Sequence, residues 1–324
     1  MQPKWARTAV PTHRQHNWRM LAEVSAGLTA PQKELSPKYF YDHRGSELFE
    51  EITRLPEYYP TRTERALLEA WMPDLISELG TRSLVELGAG SAEKSRIILS
   101  AMRAAHSAVL YVPIDVSASF LNQTATRLRR DYPGLTVEPS VADISEDFEV
   151  PTGVPHPALY AFLGGTIGNF YPVAAIQLLT RVRSAMRSSD RFLMGVDLRK
   201  DVQLIEAAYN DSLGVTADFN RNMLLVLNDE LGADFDPAAF EHLAFYERET
   251  HRIEMHLVST CDQEIRVPGL GLVTMRQGES IRTEISCKHD RGSVSDLFAA
   301  AGLRIESWRS DAGALFALVV GAPA

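Results

Sequence analysis

The stretch Ser83-Leu84-Val85-Glu86-Leu87-Gly88-Ala89-Gly90-Ser91 constrains this chain more than any other. An apolar strand runs into two glycines, and the residues from Ala92 onward read as a helix. A strand feeding a helix through a glycine turn is the opening half of a βαβ unit, the building block of a parallel sheet. Glycine there lets a ligand approach the backbone. The spacing is Glu-x-Gly-x-Gly rather than Gly-x-Gly-x-x-Gly, and no Gly-Lys-Ser/Thr follows, which argues against a triphosphate cradle. An acid before the first glycine suits a ligand that carries positive charge and lacks phosphates. S-adenosylmethionine (SAM), with its amino group and sulfonium, fits. A tight strand–helix connection without a ligand fits the same residues, and the turn alone leaves both readings open.

The rest of the chain supplies the context. Thr63 reads as the cap of a helix over Glu64–Leu79, closed by Gly80. Strands are expected at Leu84–Leu87, Ala108–Asp115, Thr136–Val141, Ala158–Leu163 and Arg191–Asp197, separated by helices near Ala92–Ala105, Ser117–Arg130 and Val173–Arg187. Such alternation marks a doubly wound parallel sheet, whose ligands lie beyond the carboxyl ends of the strands. Three expected strand ends carry polar groups. Asp115 stands 25 residues after Gly90, near the spacing of the acid that binds a ribose diol, and it also suits the start of the helix that follows. Asp143 is placed either to reach an adenine amino group or to sit in a solvated turn. The run Gly164-Gly165-Thr166-Ile167-Gly168-Asn169 offers backbone and side-chain partners to a small polar ligand.

After Asp197 the pattern changes. Helices at Val202–Tyr209 and Ala217–Asn228 precede strands at His242–Arg248, Arg252–Ser259, Glu264–Val273 and Ser280–Cys287, whose alternation predicts antiparallel pairing with one wet face. A helix over Ser293–Ala301 and strands Leu303–Arg309 and Leu315–Gly321 close the chain. A final antiparallel pair beside a parallel sheet is typical of SAM-dependent methyltransferases. The expected fold class is therefore α/β, a Rossmann-like SAM methyltransferase sheet with a second α+β substrate domain. At the other end, a short helix is expected from Met20 to Leu28. Residues 1–19 read as a disordered tail.

Composition narrows the partners. A net charge of −9 over 324 residues lacks the dense basic surface that nucleic acid needs, so no nucleic-acid partner is expected. Two cysteines, Cys261 and Cys287, make no disulfide framework and suggest the cytoplasm. No apolar run approaches the roughly 18–20 residues of a membrane span, and the N-terminus lacks a secretory pattern. A monomer and no metal are expected.

Several unrelated runs then add a likeness. Tyr41-Asp42, the segment from Leu55 to Glu64 (Leu-Pro-Glu-Tyr-Tyr-Pro-Thr-Arg-Thr-Glu), Leu163–Asn169, Phe219-Asn220-Arg221-Asn222 and Thr283-Glu284-Ile285-Ser286-Cys287-Lys288 resemble, in order, the EgtD family of histidine-specific Nα-methyltransferases of ergothioneine biosynthesis. The likeness runs from about residue 25 to the C-terminus. It implies a SAM-binding domain (64–198 and 289–324) and a discontinuous amino-acid domain (20–63 and 199–288). It implies SAM contacts at Gly88, Lys94, Asp115, Asp143 and Ile144, where relatives often carry an aromatic residue in place of Ile144. For the amino acid it implies Tyr58, Asn169, Tyr209, Glu284 and Ser286, with Phe49, Gly164, Thr166 and Met255 lining the pocket and Tyr41 near the amine. Gly165 stands where relatives carry serine. The implied activity is SAM-dependent trimethylation of the α-amino group of L-histidine.

The residue types suit that chemistry. Tyr41 and Tyr58 accept an amine and tolerate a quaternary ammonium against their ring faces. Asn169 and Tyr209 donate to a carboxylate. Glu284 and Ser286 alternate on a strand and so share a side, where they accept from and donate to an imidazole. Taken without the likeness, Glu284 reads as an exposed strand carboxylate paired with Arg282 or Lys288. Other readings are a methyltransferase of the same build acting on a tryptophan or tyrosine derivative, a NAD-dependent dehydrogenase, which the glycine spacing disfavours, and a SAM-sensing module without turnover.

Overall fold

A computed structural model describes residues 13–146 and 148–324. In chain order the elements are α1 (His13–Thr29), β1 (Lys33–Glu34), α2 (His43–Ile52), α3 (Tyr59–Leu79), β2 (Ser83–Leu87), α4 (Ser95–Ala104), β3 (Leu110–Asp115), α5 (Ala118–Asp131), β4 (Thr136–Val137), β5 (Ser140–Val141), β6 (Ala158–Phe162), α6 (Pro172–Ala185), β7 (Arg191–Asp197), α7 (Val202–Tyr209), α8 (Val215–Leu231), β8 (Phe240–Glu247), β9 (Arg252–Ser259), β10 (Gln263–Val267), β11 (Gly271–Met275), β12 (Ser280–Cys287), α9 (Arg291–Ala300), β13 (Leu303–Ser310) and β14 (Phe316–Pro323). They fall into two compact units. The first holds Pro60–Arg199 and Lys288–Ala324; the second holds Lys200–Cys287 and the described residues up to Tyr59. The tail expected over 1–19 falls mostly outside the described residues, and α1 opens at His13 rather than at Met20.

The first unit is built on one sheet, ordered β13-β14-β7-β6-β2-β3-β4, with β5 also pairing β3. From β7 through β4 the strands are parallel, while β14 runs antiparallel to β7 and to β13. Strands β2 and β6 are buried at every residue, because both faces of the sheet are covered. Alternate residues feed two cores. Leu84, Tyr111, Leu159 and Leu193 pack with Leu68, Met72 and Ile76 of α3 and with Ile98 and Met102 of α4. Val85, Val112, Tyr160 and Met194 pack on the opposite side with Leu178 and Val182 of α6 and with Val294 and Phe298 of α9. The chain winds outward from β2 through β3 to β4, then returns to place β6 on the other flank of β2. The carboxyl ends of β2 and β6 are thus neighbours at the point where winding reverses, with Leu87 level with Phe162.

The second unit holds a four-stranded sheet, β1-β12-β9-β8, antiparallel except where β1 joins β12. Helix α2 packs against α8. Asp42 caps α2 by accepting the Gly45 N–H at 2.6 Å. Between Arg282 and Glu284 the β12 register slips by one residue, so that Arg282 pairs with His256 and Glu284 with Met255. Neighbouring residues of β9 point to opposite faces, and the slip therefore sends Arg282 and Glu284 to opposite sides of the sheet.

Besides α1, four elements depart most from the sequence expectation. The strand expected over Thr136–Val141 is two short strands, because Pro139 between them has no N–H for the ladder. The strand expected over Glu264–Val273 is the hairpin β10–β11, turned at Pro268-Gly269-Leu270. Helix α3 starts at Tyr59, so Thr63 lies inside it; Pro60 is accommodated because a first-turn residue needs no intrahelical N–H partner. Helix α8 reaches from Val215 to Leu231, beyond both ends of the expected helix.

Space rather than backbone angle fixes the glycine at the entry to α2. A Cβ on Gly45 would lie 1.7 Å from the carbonyl oxygen of Phe40. Gly45→Ala is expected to lower unfolding stability by about 2–3 kcal/mol, read as a reduced urea midpoint. A midpoint equal to that of the native chain would show that the turn before α2 yields without cost.

Candidate functional site

The glycine turn after β2 is held by backbone and by one carboxylate. Gly88 and Gly90 have φ of 65° and 49°, a region that side-chain-bearing residues rarely enter. The Ala89 N–H donates to the Ile114 carbonyl at 3.1 Å. Asp115, at the end of β3, accepts the Gly90 N–H at 2.9 Å on one oxygen and the Ser117 N–H at 3.1 Å on the other. Asp115 therefore steadies the start of α5, as one of its two sequence readings expects, and its other oxygen braces the glycine turn. A Cβ on Gly88 would lie 3.8 and 3.9 Å from Phe162 and Ile144, while one on Gly90 would meet none of the described residues beyond its chain neighbours within 4 Å. Ile144 thus stands beside the turn. Asp143 accepts the Ser145 N–H at 2.9 Å and its hydroxyl at 2.5 Å, which fixes the short turn after β5.

Glu86 does not sit where the sequence reading put it. The residue is 3% exposed, and its carboxyl accepts hydrogen bonds from the hydroxyls of Ser95 and Tyr111, inside the core beneath α4. Strand alternation explains this: Glu86 shares a face with Leu84, which packs against α3 and α4. Burial pushes its carboxyl up to about 7 and pushes the Tyr111 hydroxyl well above its usual range.

A second carboxylate, missed in the sequence, links two of the candidate residues. Glu64 on α3 is fully buried. It pairs with the ammonium of Lys94, and its oxygens accept the Gly164 N–H at 2.8 and 2.9 Å. Thr166 donates to the Leu163 carbonyl at 2.9 Å and opens the short 3-10 helix Thr166–Asn169, which ends on Asn169. Gly164, Thr166 and Asn169 accordingly belong to the first unit, with Gly88, Lys94, Asp115, Asp143 and Ile144. The sequence had marked Glu64 as the end of the Leu55–Glu64 run, but no single-sequence signal pairs it with Lys94.

In the second unit, rings gather most of the remaining candidates. Tyr41 meets Phe49 edge-on at 5.7 Å, Phe49 meets Tyr58 at 6.3 Å, and Tyr58 meets Tyr209 at 6.4 Å. Phe219 packs against Tyr41 and Phe49 and stacks on Phe40 at 4.4 Å. Edge-to-face contacts of this kind fix ring planes as well as burying area. Tyr41 keeps 41% of its surface exposed. Glu284 and Ser286 share one face of β12, level with Met255 and Ile253 of β9. Arg282 is on the other face, engaged with Glu34 and Glu254.

The Phe219–Asn222 run supplies the supports. Asn222 donates to Asp42 at 2.8 Å and so braces the cap next to Tyr41. The amide of Asn220 bonds the His242 Nδ1 at 2.8 Å and the His256 carbonyl at 3.1 Å. His242 Nε2 in turn donates to the Tyr209 carbonyl at 2.8 Å. Donation at one nitrogen and acceptance at the other require a neutral imidazole, and burial lowers the His242 pKa, which favours that form.

The family described as histidine-specific methyltransferase, SAM-dependent, matches residues 20–322. A histidine N-alpha-methyltransferase of Mycobacterium tuberculosis is 46% identical over 294 residues, 90% of this chain and 91% of that one. Its counterpart in Mycolicibacterium smegmatis is 44% identical over 300 residues, 91% and 92% of the two chains. Ergothioneine biosynthesis protein 1 of Neurospora crassa is 27% identical across 85% of this chain and 32% of its own length.

Glu86 gives the turn a pH signature. The folded carboxyl titrates near 7 against the usual 4.5, so between those values the folded chain holds a proton that the unfolded chain has lost. Stability from this group is complete below about pH 4.5 and declines as pH climbs through 7, by about 3 kcal/mol in total. Glu86→Gln keeps an acceptor for both hydroxyls and carries no charge. Its melting temperature relative to the native chain is expected to be higher at pH 8 than at pH 5. A difference that stays constant across that range would place the Glu86 titration elsewhere.

Proposed function

This chain belongs to the family of histidine-specific, SAM-dependent methyltransferases, and we propose that it transfers three methyl groups from SAM to the α-amino nitrogen of L-histidine. The product is the trimethylated betaine hercynine, and the reaction is the first step of ergothioneine biosynthesis. The observation that carries the histidine assignment is Glu284 level with Met255, with Ser286 on the same face. An acceptor, a donor and a polarisable thioether side by side suit an imidazole better than a benzene or indole ring.

The first unit is the SAM-binding half in this reading, and the second selects the amino acid. The first unit's residues fit SAM. The open approach at Gly90 admits a ligand to the backbone; in this reading Asp115, at the end of β3, takes the ribose diol, Asp143, two residues past β5, takes the adenine amino group, and Lys94 takes the carboxylate. SAM supplies a methyl group already activated by the sulfonium, so position and electrostatics are the protein's main contributions.

Each transfer forms one N–C bond, breaks one C–S bond and leaves the electron pair on sulfur. The α-ammonium loses one proton before each attack, three in all. A free amine gives up that proton at mildly basic pH, and water receives it without a dedicated catalytic base. Tyr209 is the second unit's donor to the substrate carboxylate in this reading. Tyr41 and Tyr58 face the amine. Their task changes with each round, because every methyl removes an N–H donor and adds bulk. Ring faces suit all stages, since they attract a quaternary ammonium as readily as a primary one. The reading includes a cytoplasmic location, supported by the two-cysteine composition, and action as a monomer. Among the described residues no helix is long and apolar enough to cross a membrane.

Mass spectrometry of products from SAM and each of the twenty amino acids is expected to show a gain of three methyl groups on histidine alone. Another amino acid methylated in its place, or no product, overturns the assignment. Within it, Glu284→Ala is expected to cut kcat/KM for histidine on the order of 10²-fold and to weaken discrimination against other aromatic amino acids. Unchanged histidine kinetics in that variant would remove Glu284 from the recognition of the ring.

A further inference from the structure

We infer that Glu64 is a positioning residue: it aims the Lys94 ammonium at the cofactor carboxylate and holds the Gly164 loop, so that one buried carboxylate sets both sides of the first unit's site. The inference rests on the SAM reading above and goes beyond it in naming a residue that touches neither ligand.

Three observations meet at this side chain. First, Glu64 is fully buried, and a buried carboxylate is costly unless charge and hydrogen bonds compensate it. Here both do: Lys94 supplies the charge and the Gly164 N–H spans the two oxygens. Second, the two partners come from the two loops at the reversal of the sheet. Lys94 ends the turn that follows β2, and Gly164 follows β6. The Gly164 N–H has this carboxylate as its partner, at 2.8 and 2.9 Å from its two oxygens. Third, the sheet leaves room for it. A Cβ on Gly195, in the interior of β7, would lie 2.0 Å from the Glu64 Oε1. A strand otherwise rich in large apolar residues carries its glycine where this carboxylate lies.

The geometry divides the work of Lys94. An ammonium has three donors, and Glu64 takes one of them. The Lys94 side chain is 23% exposed, so it is neither sealed in the core nor left to solvent. Its Nζ lies 3.5 Å from the position of a Gly164 Cβ, which puts the charge beside the loop carrying Thr166 and Asn169. Without Glu64 the long lysine side chain regains its rotamers, and the Gly164 N–H loses its acceptor.

The test reads SAM affinity by calorimetry with no amino acid present, on Glu64→Gln, Lys94→Met and the double variant, each checked for a native-like melting transition. Glu64→Gln keeps shape and an acceptor for Gly164 while losing the charge that holds Lys94. It is expected to weaken SAM binding about tenfold, Lys94→Met to do at least as much, and the double variant to be no weaker than Lys94→Met alone. Gly195→Ala, which retains Glu64 but takes its space, is expected to weaken SAM binding in the same direction. In steady state, Glu64→Gln is expected to raise the KM for SAM more than it lowers kcat. Native SAM affinity in Glu64→Gln, or effects of the two single variants that simply multiply, overturns the inference, because a merely structural Glu64 would lower the melting temperature without coupling to Lys94. Failure of the native chain to methylate histidine while binding SAM would instead remove the substrate reading and leave this one standing.

Discussion

A parallel sheet covered on both faces leaves only one place for chemistry. Every residue of β2 and β6 is buried, so neither strand presents a ligand-binding side chain along its length. What these strands do is deliver loops. Because winding reverses between them, two loops arrive together, one with glycines at positive φ and one with Gly164 and the turn to Asn169. The polar atoms of the first unit's site are therefore fixed by strand pairing in the core.

The two units solve the positioning problem differently. In the first, backbone groups are held by carboxylates: Asp115 takes the Gly90 N–H and Glu64 takes the Gly164 N–H. Such bonds are short and charge-assisted, and they define loop shape to a fraction of an ångström. In the second unit the candidate rings are held by other rings, from Tyr41 to Tyr209, and by a neutral imidazole under Tyr209. Ring contacts are broader wells than charged hydrogen bonds, and tilts of a few degrees cost little. That difference suits a reaction whose donor has one fixed shape and whose acceptor grows by a methyl group each round.

The alternation of strands and helices was legible because its period is local and strong, and the closing antiparallel pair followed from the same pattern. Element boundaries were harder where one residue overrides a run. Pro139 divides a strand, and Pro268-Gly269 folds another into a hairpin. The reading of Glu86 shows a different limit. It weighed the acid's place next to the glycines and neglected the alternation that turns its side chain into the core with Leu84. Glu64, Asn220 and Asn222 lay within runs that stood out, yet their partners are far away in sequence: Lys94 is 30 residues from Glu64, and Asp42 is 180 residues from Asn222. Spacing along one chain carries no signal for such pairs, whereas it does carry one for Glu284 and Ser286, which are neighbours on a single strand.

The one-residue slip in β12 separates two electrostatic neighbourhoods that the primary structure places side by side. Arg282 completes an ionic lattice with Glu34 and Glu254, while Glu284, two positions on, is insulated from that guanidinium by the thickness of the sheet. One bulge thus gives a single strand two chemically distinct sides, an ionic one turned to Glu34 and Glu254 and another lined by Met255 and Ile253.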